Sequence, residues 1–239
     1  MQCEKYSYDF SVTDNECDVN RSMTIGSILR RVQQAGTDQC TELGITDEVY
    51  ARNHCAFLLA KQTLECYAPI PHGAKITVTT RPGTPERAVF FRYTTLEDAS
   101  GTVLAAVDSR WVLVDTETKR IMRRFPDEIT KSFVVPAYKK LDVEIEKSDV
   151  QPISQQQATY TRCDSNRHIN NTVYADIVCD NIETDKICAK PITRFAINYH
   201  REVPLGEIFT VSAGETTRGT LYFTGSTGDI NHFEAEVTL

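Results

Sequence analysis

Four polar residues in the C-terminal half of the sequence have the side chains that acid–base chemistry on a carbonyl group requires. Asp164, Asn166 and His168 alternate along one short segment, and Glu202 comes just before a Pro/Gly turn. A histidine exchanges protons near neutral pH, and a carboxylate orients it or activates a water molecule. An asparagine can hold that water or the carbonyl group. Free N–H groups of a helix beginning after His168 would stabilise an oxyanion. Asp164 and Asn166 are also common turn formers and helix caps, so that simpler role stays open for them.

The same segment occurs earlier in the chain without the histidine. Residues 17–21 read CDVNR and residues 163–167 read CDSNR, at an offset of 146 residues. Ser22 stands where His168 would be expected. Because only the second segment keeps the imidazole, we predict that the second copy carries the chemistry and that the first uses its polar residues as turn formers.

A second pair of segments extends the repeat. Residues 71–78, PHGAKITV, correspond to residues 204–211, PLGEIFTV, at an offset of 133 residues, and this alignment places Pro69 where Glu202 stands. Each pair lies in the same order along the chain. We therefore predict two copies of one unit, over residues 1–137 and 158–239, with a polar linker over residues 138–157.

The elements of the first copy are predicted from hydrophobic periodicity. Residues 5–12 alternate aromatic and polar side chains, as a half-buried strand does, and residues 22–43 have apolar side chains at helical spacing. Strands are then expected over the segments 57–67, 74–81, 87–96 and 103–115, which Pro- and Gly-containing turns separate. This order, a strand, a long helix and an antiparallel meander, indicates a sheet that wraps around the helix.

Composition excludes several classes of protein. The chain has 239 residues, 26 Lys and Arg against 33 Asp and Glu, and a formal net charge of −7. Such acidity argues against a nucleic-acid-binding protein, and no apolar segment is long enough to span a bilayer. The first residues have no apolar run, so we expect no signal peptide and a cytoplasmic protein. The eight cysteines form no Cys-x-x-Cys pair, which favours reduced thiols over disulfides or a zinc site.

Three motifs together resemble the fatty acyl-acyl carrier protein (acyl-ACP) thioesterases of bacteria and plant plastids. They are DSNRHINN at residues 164–171, NYHRE at 198–202 and SRWVLVD at 109–115. The resemblance covers nearly the whole chain and fits the bacterial branch better. It implies an α+β tandem, or double, hotdog fold, with two antiparallel sheets each wrapped around a long helix. Plant members often have a cysteine after the glutamate. Val203 stands here instead, which argues against a cysteine nucleophile.

The resemblance also implies roles for individual residues. Carried over by position, the catalytic residues are Asp164, Asn166, His168 and Glu202. The resemblance implies that the N-terminal copy forms a tunnel for the acyl chain. The helix residues expected to line this tunnel are Ile25, Ile28, Leu29 and Val32. Since acyl carrier proteins are acidic, the densest basic segment is the expected docking site, with Arg120, Arg123 and Arg124. No metal and no organic cofactor is implied.

The predicted function is therefore hydrolysis of fatty acyl-ACP to free fatty acid and carrier protein in fatty acid biosynthesis. An acyl-CoA thioesterase, a hotdog hydroxyacyl-thioester dehydratase and a non-catalytic acyl-thioester-binding module remain as alternatives. The sequence does not rank Asp164 against Glu202 as the base. It leaves open the length of the preferred acyl chain, and whether the protein forms a homodimer.

Overall fold

The ten strands found in the described part of the chain form one continuous antiparallel sheet. The structure, a computed structural model, describes residues 4–133 and 140–239. Cys3 and residues 134–139, where the predicted first copy meets the predicted linker, lie outside these ranges. The strands are β1 (Tyr6–Ser11), β2 (Cys55–Cys66), β3 (Lys75–Glu86), β4 (Val89–Asp98), β5 (Val103–Asp115), β6 (Gln151–Gln157), β7 (Arg194–Tyr199), β8 (Ile208–Glu215), β9 (Leu221–Thr227) and β10 (Ile230–Thr238).

The strand order repeats on the two sides of the sheet's centre. It runs β1-β3-β4-β5-β2 and then β7-β10-β9-β8-β6, so that β2 and β7 meet in the middle. Thr63 of β2 pairs with Ala196 of β7 near the middle of this junction. The prediction of two separate sheets is therefore wrong. Two separate sheets would expose the backbone N–H and C=O groups of β2 and β7 at open edges, and pairing the two strands removes both edges.

A long helix packs on one face of the first half. Helix α1 (Ile25–Glu42) begins where the Thr24 hydroxyl accepts a hydrogen bond from the Ser27 N–H, at 3.1 Å. Ile28, Leu29 and Val32 from its inner side are buried in the main apolar core. Two short helices, α2 (Asp47–Arg52) and α3 (Asp127–Thr130), lie beside a second apolar cluster, which contains aromatic and aliphatic side chains.

The second half has no helix of comparable length. Helix α4 (Val173–Asp180) has eight residues and is followed by α5 (Thr184–Ala189), so the prediction of a long helix in each copy is wrong for the second. The Asn181 amide group donates to the Ile177 carbonyl, at 2.8 Å, and so satisfies a carbonyl group at the end of α4. Helix α4 packs on α1 at Gly26, where a Cβ atom would lie 1.9 Å from an Asp176 carboxylate oxygen, so only glycine allows this approach.

The predicted linker lies across the sheet on the face opposite α1. Residues 140–150 have no regular secondary structure, whereas 151–157 form β6, so the linker ends seven residues before its predicted boundary. The Leu141 N–H donates to the buried Asp108 carboxylate at 3.1 Å, and the Glu146 N–H donates to Glu236 at 3.0 Å. Arg194 of β7 donates to the Glu144 carbonyl at 2.9 Å. Polar residues of both halves thus hold this segment.

Candidate active site

A tight turn positions the predicted Asp-x-Asn-x-His segment. The Asp164 N–H donates to the His168 carbonyl at 3.0 Å, and the Arg167 N–H donates to the Asp164 carbonyl at 3.0 Å. Arg167 has a φ of 65°, which is the left-handed region, and the Asp164 carboxylate accepts the Asn166 N–H at 2.9 Å. This turn brings Asp164 and His168 together, so that their side chains lie on the same side of the loop.

The first half contains the same turn without the histidine. The Asp18 N–H donates to the Ser22 carbonyl at 2.8 Å, the Asp18 carboxylate accepts the Asn20 N–H at 2.9 Å, and Arg21 has a φ of 59°. Ser22 forms an isolated bridge with Pro71, as His168 does with Pro204. The aspartate and asparagine therefore have a turn-forming role in both halves. Only the second turn presents an imidazole.

His168 lies between two carboxylates. Its Nε2 atom is 3.4 Å from Oε1 of Glu202, and its Nδ1 atom is 3.9 Å from Oδ1 of Asp164. The side chains of His168 and Asp164 are 18% and 26% exposed, whereas Glu202 is 56% exposed. Glu202 reaches this position from the segment after β7, in which the N–H groups of residues 200 and 201 donate to the His232 carbonyl. Each ring nitrogen of His168 thus faces one carboxylate, and the Glu202 carboxylate is open to water.

The N–H groups after His168 are arranged differently from the prediction. Helix α4 begins only at Val173, and four of the five N–H groups from 169 to 173 have acceptors, two in other segments and two at Asn170 of the same loop. In the part of the chain that the structure covers, the Asn171 N–H has no acceptor. The Tyr199 hydroxyl donates to the Asn171 carbonyl at 3.0 Å and so anchors the backbone of this residue on the C-terminal side of its N–H. Burial raises the pKa of Tyr199, which keeps its hydroxyl protonated.

One cavity connects this site to the first half of the fold. Its volume is about 1190 Å³, and its wall includes Asp164, Asn166, His168 and Glu202 together with residues of α1 and β2. Of the four helix residues predicted to line an acyl-chain tunnel, Val32 belongs to the wall of this cavity. The other three, Ile25, Ile28 and Leu29, are buried in the apolar core and are not part of the cavity wall. Helical periodicity identifies a buried face but does not separate contact with a sheet from contact with a cavity.

The predicted docking residues lie on an exposed segment after β5. Arg120, Arg123 and Arg124 are all exposed. Lys119 and Ile121, from the same segment, belong to the cavity wall. The basic segment therefore borders the cavity.

Sequence reasoning did not assign roles to Asn171 and Tyr199. Both belong to the motifs 164–171 and 198–202, so the signal was present, but the hydrogen bond that joins them is visible only in the structure. Within the described ranges, no group of three or more His, Cys, Asp or Glu side chains is arranged to hold a metal ion. No helix of the described chain is long and apolar enough to cross a membrane.

Comparison with known proteins gives a match over both halves. Residues 3–133 match the acyl-ACP thioesterase N-terminal domain, and residues 145–233 match the acyl-ACP thioesterase C-terminal domain. Oleoyl-acyl carrier protein thioesterase 2 of Arabidopsis thaliana is 22% identical over 254 residues, covering 97% of this chain and 69% of that relative. The chain spans 52% to 60% of the length of three further curated relatives.

Solved structures share the fold. An acyl-ACP thioesterase from Bacteroides thetaiotaomicron superposes with a TM-score of 0.87 at 17% identity, covering 98% of this chain and 97% of that one. A 12:0-ACP thioesterase from Umbellularia californica superposes with a TM-score of 0.86 at 19% identity, covering 99% and 97%. At these identities the likeness concerns the architecture, a hotdog-type antiparallel sheet with few helices.

Proposed function

The chain belongs to the acyl-ACP thioesterase family, and from this premise we propose that it hydrolyses fatty acyl-ACP to free fatty acid and carrier protein in the cytoplasm. The observation that carries the proposal is the imidazole of His168, which lies between two carboxylates at a cavity of about 1190 Å³. The equivalent turn in the first half has Ser22 instead and contains no such group.

We further propose that the fold is a double hotdog, with one unit in each half. The mirrored strand order around the β2–β7 junction and the identical turns at residues 18–22 and 164–168 support it. The first unit would bind the acyl chain and the second would carry the reaction. The matches to separate N- and C-terminal domains support a division close to the predicted one, with residues 140–150 between the units.

In the proposed reaction, water attacks the thioester carbonyl carbon while Glu202 and His168 hold that water. Glu202 is the better candidate for the base, because it is open to solvent and approaches Nε2, the ring nitrogen that faces away from the turn. The Ile169 carbonyl, 3.4 Å from the other ring nitrogen, orients the imidazole. Asp164 lies 3.9 Å from the same nitrogen and holds the turn by accepting the Asn166 N–H. The Asn166 side chain, in the cavity wall, would position the water or the carbonyl group.

The remaining steps use groups on the same loop. The Asn171 N–H would stabilise the oxyanion of the tetrahedral intermediate, as a fixed donor without another acceptor in the described structure does. Glu202 takes a proton from the attacking water and passes it to Nε2 of His168, 3.4 Å away. When the intermediate collapses, the C–S bond breaks and the imidazole gives this proton to the thiolate. The products are a carboxylic acid and the carrier's thiol. None of these steps calls for a metal or an organic cofactor.

The exposed basic segment with Arg120, Arg123 and Arg124 is the proposed docking surface for the acidic carrier. It borders the cavity through Lys119 and Ile121, so a carrier docked there would lie next to the opening. An acyl-CoA thioester offers the same reacting bond without the protein surface. Comparing the two substrates therefore separates docking from chemistry.

The test is thiol release from a series of acyl-ACP thioesters by wild-type protein and by His168→Ala. We expect release by the wild type and a loss of about a hundredfold or more in the variant, the scale of removing an acid–base group. Asp18→Asn, in the equivalent turn that has no histidine, is the matched control and should keep its activity. An enoyl product would instead indicate the dehydratase, and binding without turnover would indicate the non-catalytic module.

A further inference from the structure

A row of polar side chains crosses the inner side of the sheet inside the cavity. Gln62 of β2 pairs in register with Ser109 of β5, and Ser109 pairs with Arg92 of β4. These three residues are only 5%, 1% and 8% exposed, yet all three belong to the cavity wall. The Gln62 amide group donates to the Ser109 hydroxyl oxygen at 2.9 Å, which leaves the Ser109 proton available.

Arg92 places a positive charge in this row, and its hydrogen-bond partners are uncharged. Its Nη1 atom donates to the side-chain amide oxygen of Gln39 and to the Thr80 hydroxyl, and its Nη2 atom approaches the Cys40 sulfur at 3.8 Å. No carboxylate in the described structure forms an ion pair with it. A guanidinium group has five N–H donors, so these contacts leave donors unused. A buried charge of this kind is unfavourable unless a further acceptor reaches it.

The helix opposite has a glycine where the arginine lies. A Cβ atom at Gly36 of α1 would come within 3.3 Å of Cδ and Nε of Arg92. Glycine inside a helix lowers its stability relative to alanine. Here its small size lets the guanidinium group lie between α1 and the sheet.

Another part of the cavity wall is aromatic. Phe57, Phe90 and Phe133 pack edge to face, with ring centroids 4.9 Å to 6.3 Å apart, and all three line the cavity together with Tyr50. The cavity therefore has an aromatic part and a polar row. An unsubstituted hydrocarbon chain would fit the aromatic part but would offer nothing to the donors of Arg92 and Ser109.

We propose that this polar row binds an oxygen substituent on the acyl chain, so that the preferred substrate is an oxygenated acyl thioester rather than a plain saturated one. This inference rests on the proposed function and names its substrate class. Arg92 is two strands away from Gln62, which is about 10 Å at the usual strand spacing. Gln62 itself is on the strand next to β7, which carries Tyr199 of the site. Arg92 would thus receive an oxygen distant from the thioester, either a terminal carboxylate or a hydroxyl group.

The experiment compares thioesters of matched carbon number on the same carrier: unsubstituted, terminally hydroxylated and terminally carboxylated. We expect the wild type to have kcat/KM higher for an oxygenated chain by about tenfold or more, since a hydrogen bond to a charged group is worth at least that ratio. The hydroxylated and carboxylated arms show which oxygen is used. Arg92→Met, which keeps an unbranched side chain and removes the charge, should abolish the preference for the oxygenated chain.

Two further variants keep the result interpretable. Arg92→Lys retains a charge and should retain part of the preference, whereas Arg218→Met, an exposed arginine outside the cavity, should change nothing. Thermal melting of each variant checks folding, and binding of the matched free acids to the wild type provides a second measure of the preference. A wild type that favours the unsubstituted chain overturns this inference while the thioesterase function stands. No thiol release from any of the three substrates would overturn the proposed function itself.

Discussion

Replacing Glu202 with glutamine distinguishes a base from a carboxylate that only stabilises charge. Glu202 lies 3.4 Å from Nε2 of His168 and is 56% exposed. For so exposed a group the Coulomb energy with an imidazolium is close to its value in water, about 1 kcal/mol, or roughly a fivefold to tenfold effect on rate. Loss of a general base instead lowers the rate by about 10²–10⁴-fold. The two roles therefore differ by at least tenfold in the expected loss.

Asp164→Asn is the comparison within the site. The Asp164 carboxylate lies 3.9 Å from Nδ1, and an asparagine oxygen in its place can still accept the Asn166 N–H. Because the turn would persist and only the charge would be lost, we expect a decrease on the order of tenfold, from the Coulomb energy at this distance. We expect a loss of at least 10²-fold for Glu202→Gln, because the general base is removed.

The assay is thiol release from acyl-ACP over a pH series, with kcat and KM determined separately. Glu207→Gln is the matched control, since Glu207 also lies beside a histidine, 3.5 Å from Nε2 of His232, but outside the cavity. It should leave kcat/KM unchanged. A loss for Asp164→Asn that equals or exceeds the loss for Glu202→Gln would refute the assignment of Glu202 as base. Losses below tenfold for both would refute a catalytic role for either carboxylate.

Three other predictions concern docking and acid stability. Reversing the charge at Arg123 and Arg124 should raise KM for acyl-ACP by about tenfold at low salt and leave acyl-CoA hydrolysis unchanged, because electrostatic steering acts on the acidic carrier. Equal KM values for wild type and variant on acyl-ACP would contradict the proposed docking surface. Burial alone would raise the pKa of Glu16, but its hydrogen bond with Arg31 helps to hold that pKa at about 2. The ionised Glu16 carboxylate therefore contributes its full stabilisation of the fold above about pH 4.5, and this contribution is lost as the pH falls towards 2. Urea unfolding should therefore show Glu16→Gln less stable than wild type at neutral pH, with the difference vanishing in acid. Burial raises the pKa of Asp108, so its ionised form lowers stability at neutral pH and this penalty disappears as the pH falls through the folded-state pKa. The stability of Asp108→Asn relative to wild type should thus decrease on acidification, and a constant difference would show that Asp108 keeps its ordinary pKa.

The features that the sequence determined are the helices, strands and turns that depend on neighbouring residues. Helix α1 lies within the predicted segment 22–43, and β5 has the predicted bounds, because hydrophobic period and turn residues act over a few neighbouring positions. The turn at residues 164–168 could be predicted from the sequence for the same reason. It depends on a short Asx-type hydrogen bond and one residue with left-handed backbone angles. That the earlier copy of the turn has no histidine at the position of His168 follows directly from the sequence.

The tertiary structure decided everything that depends on which distant surfaces meet. That β2 pairs with β7 to form one sheet, that residues 140–150 dock on it, and that Val32 alone of four similar helix residues lines the cavity all follow from contacts between segments far apart in the chain. The same is true of Arg92, which reads as an ordinary polar position in a strand and becomes a buried charge only when α1 lies against β4. Hydrophobic periodicity indicates which side of a helix or strand is buried. What covers it depends on packing that no local pattern contains.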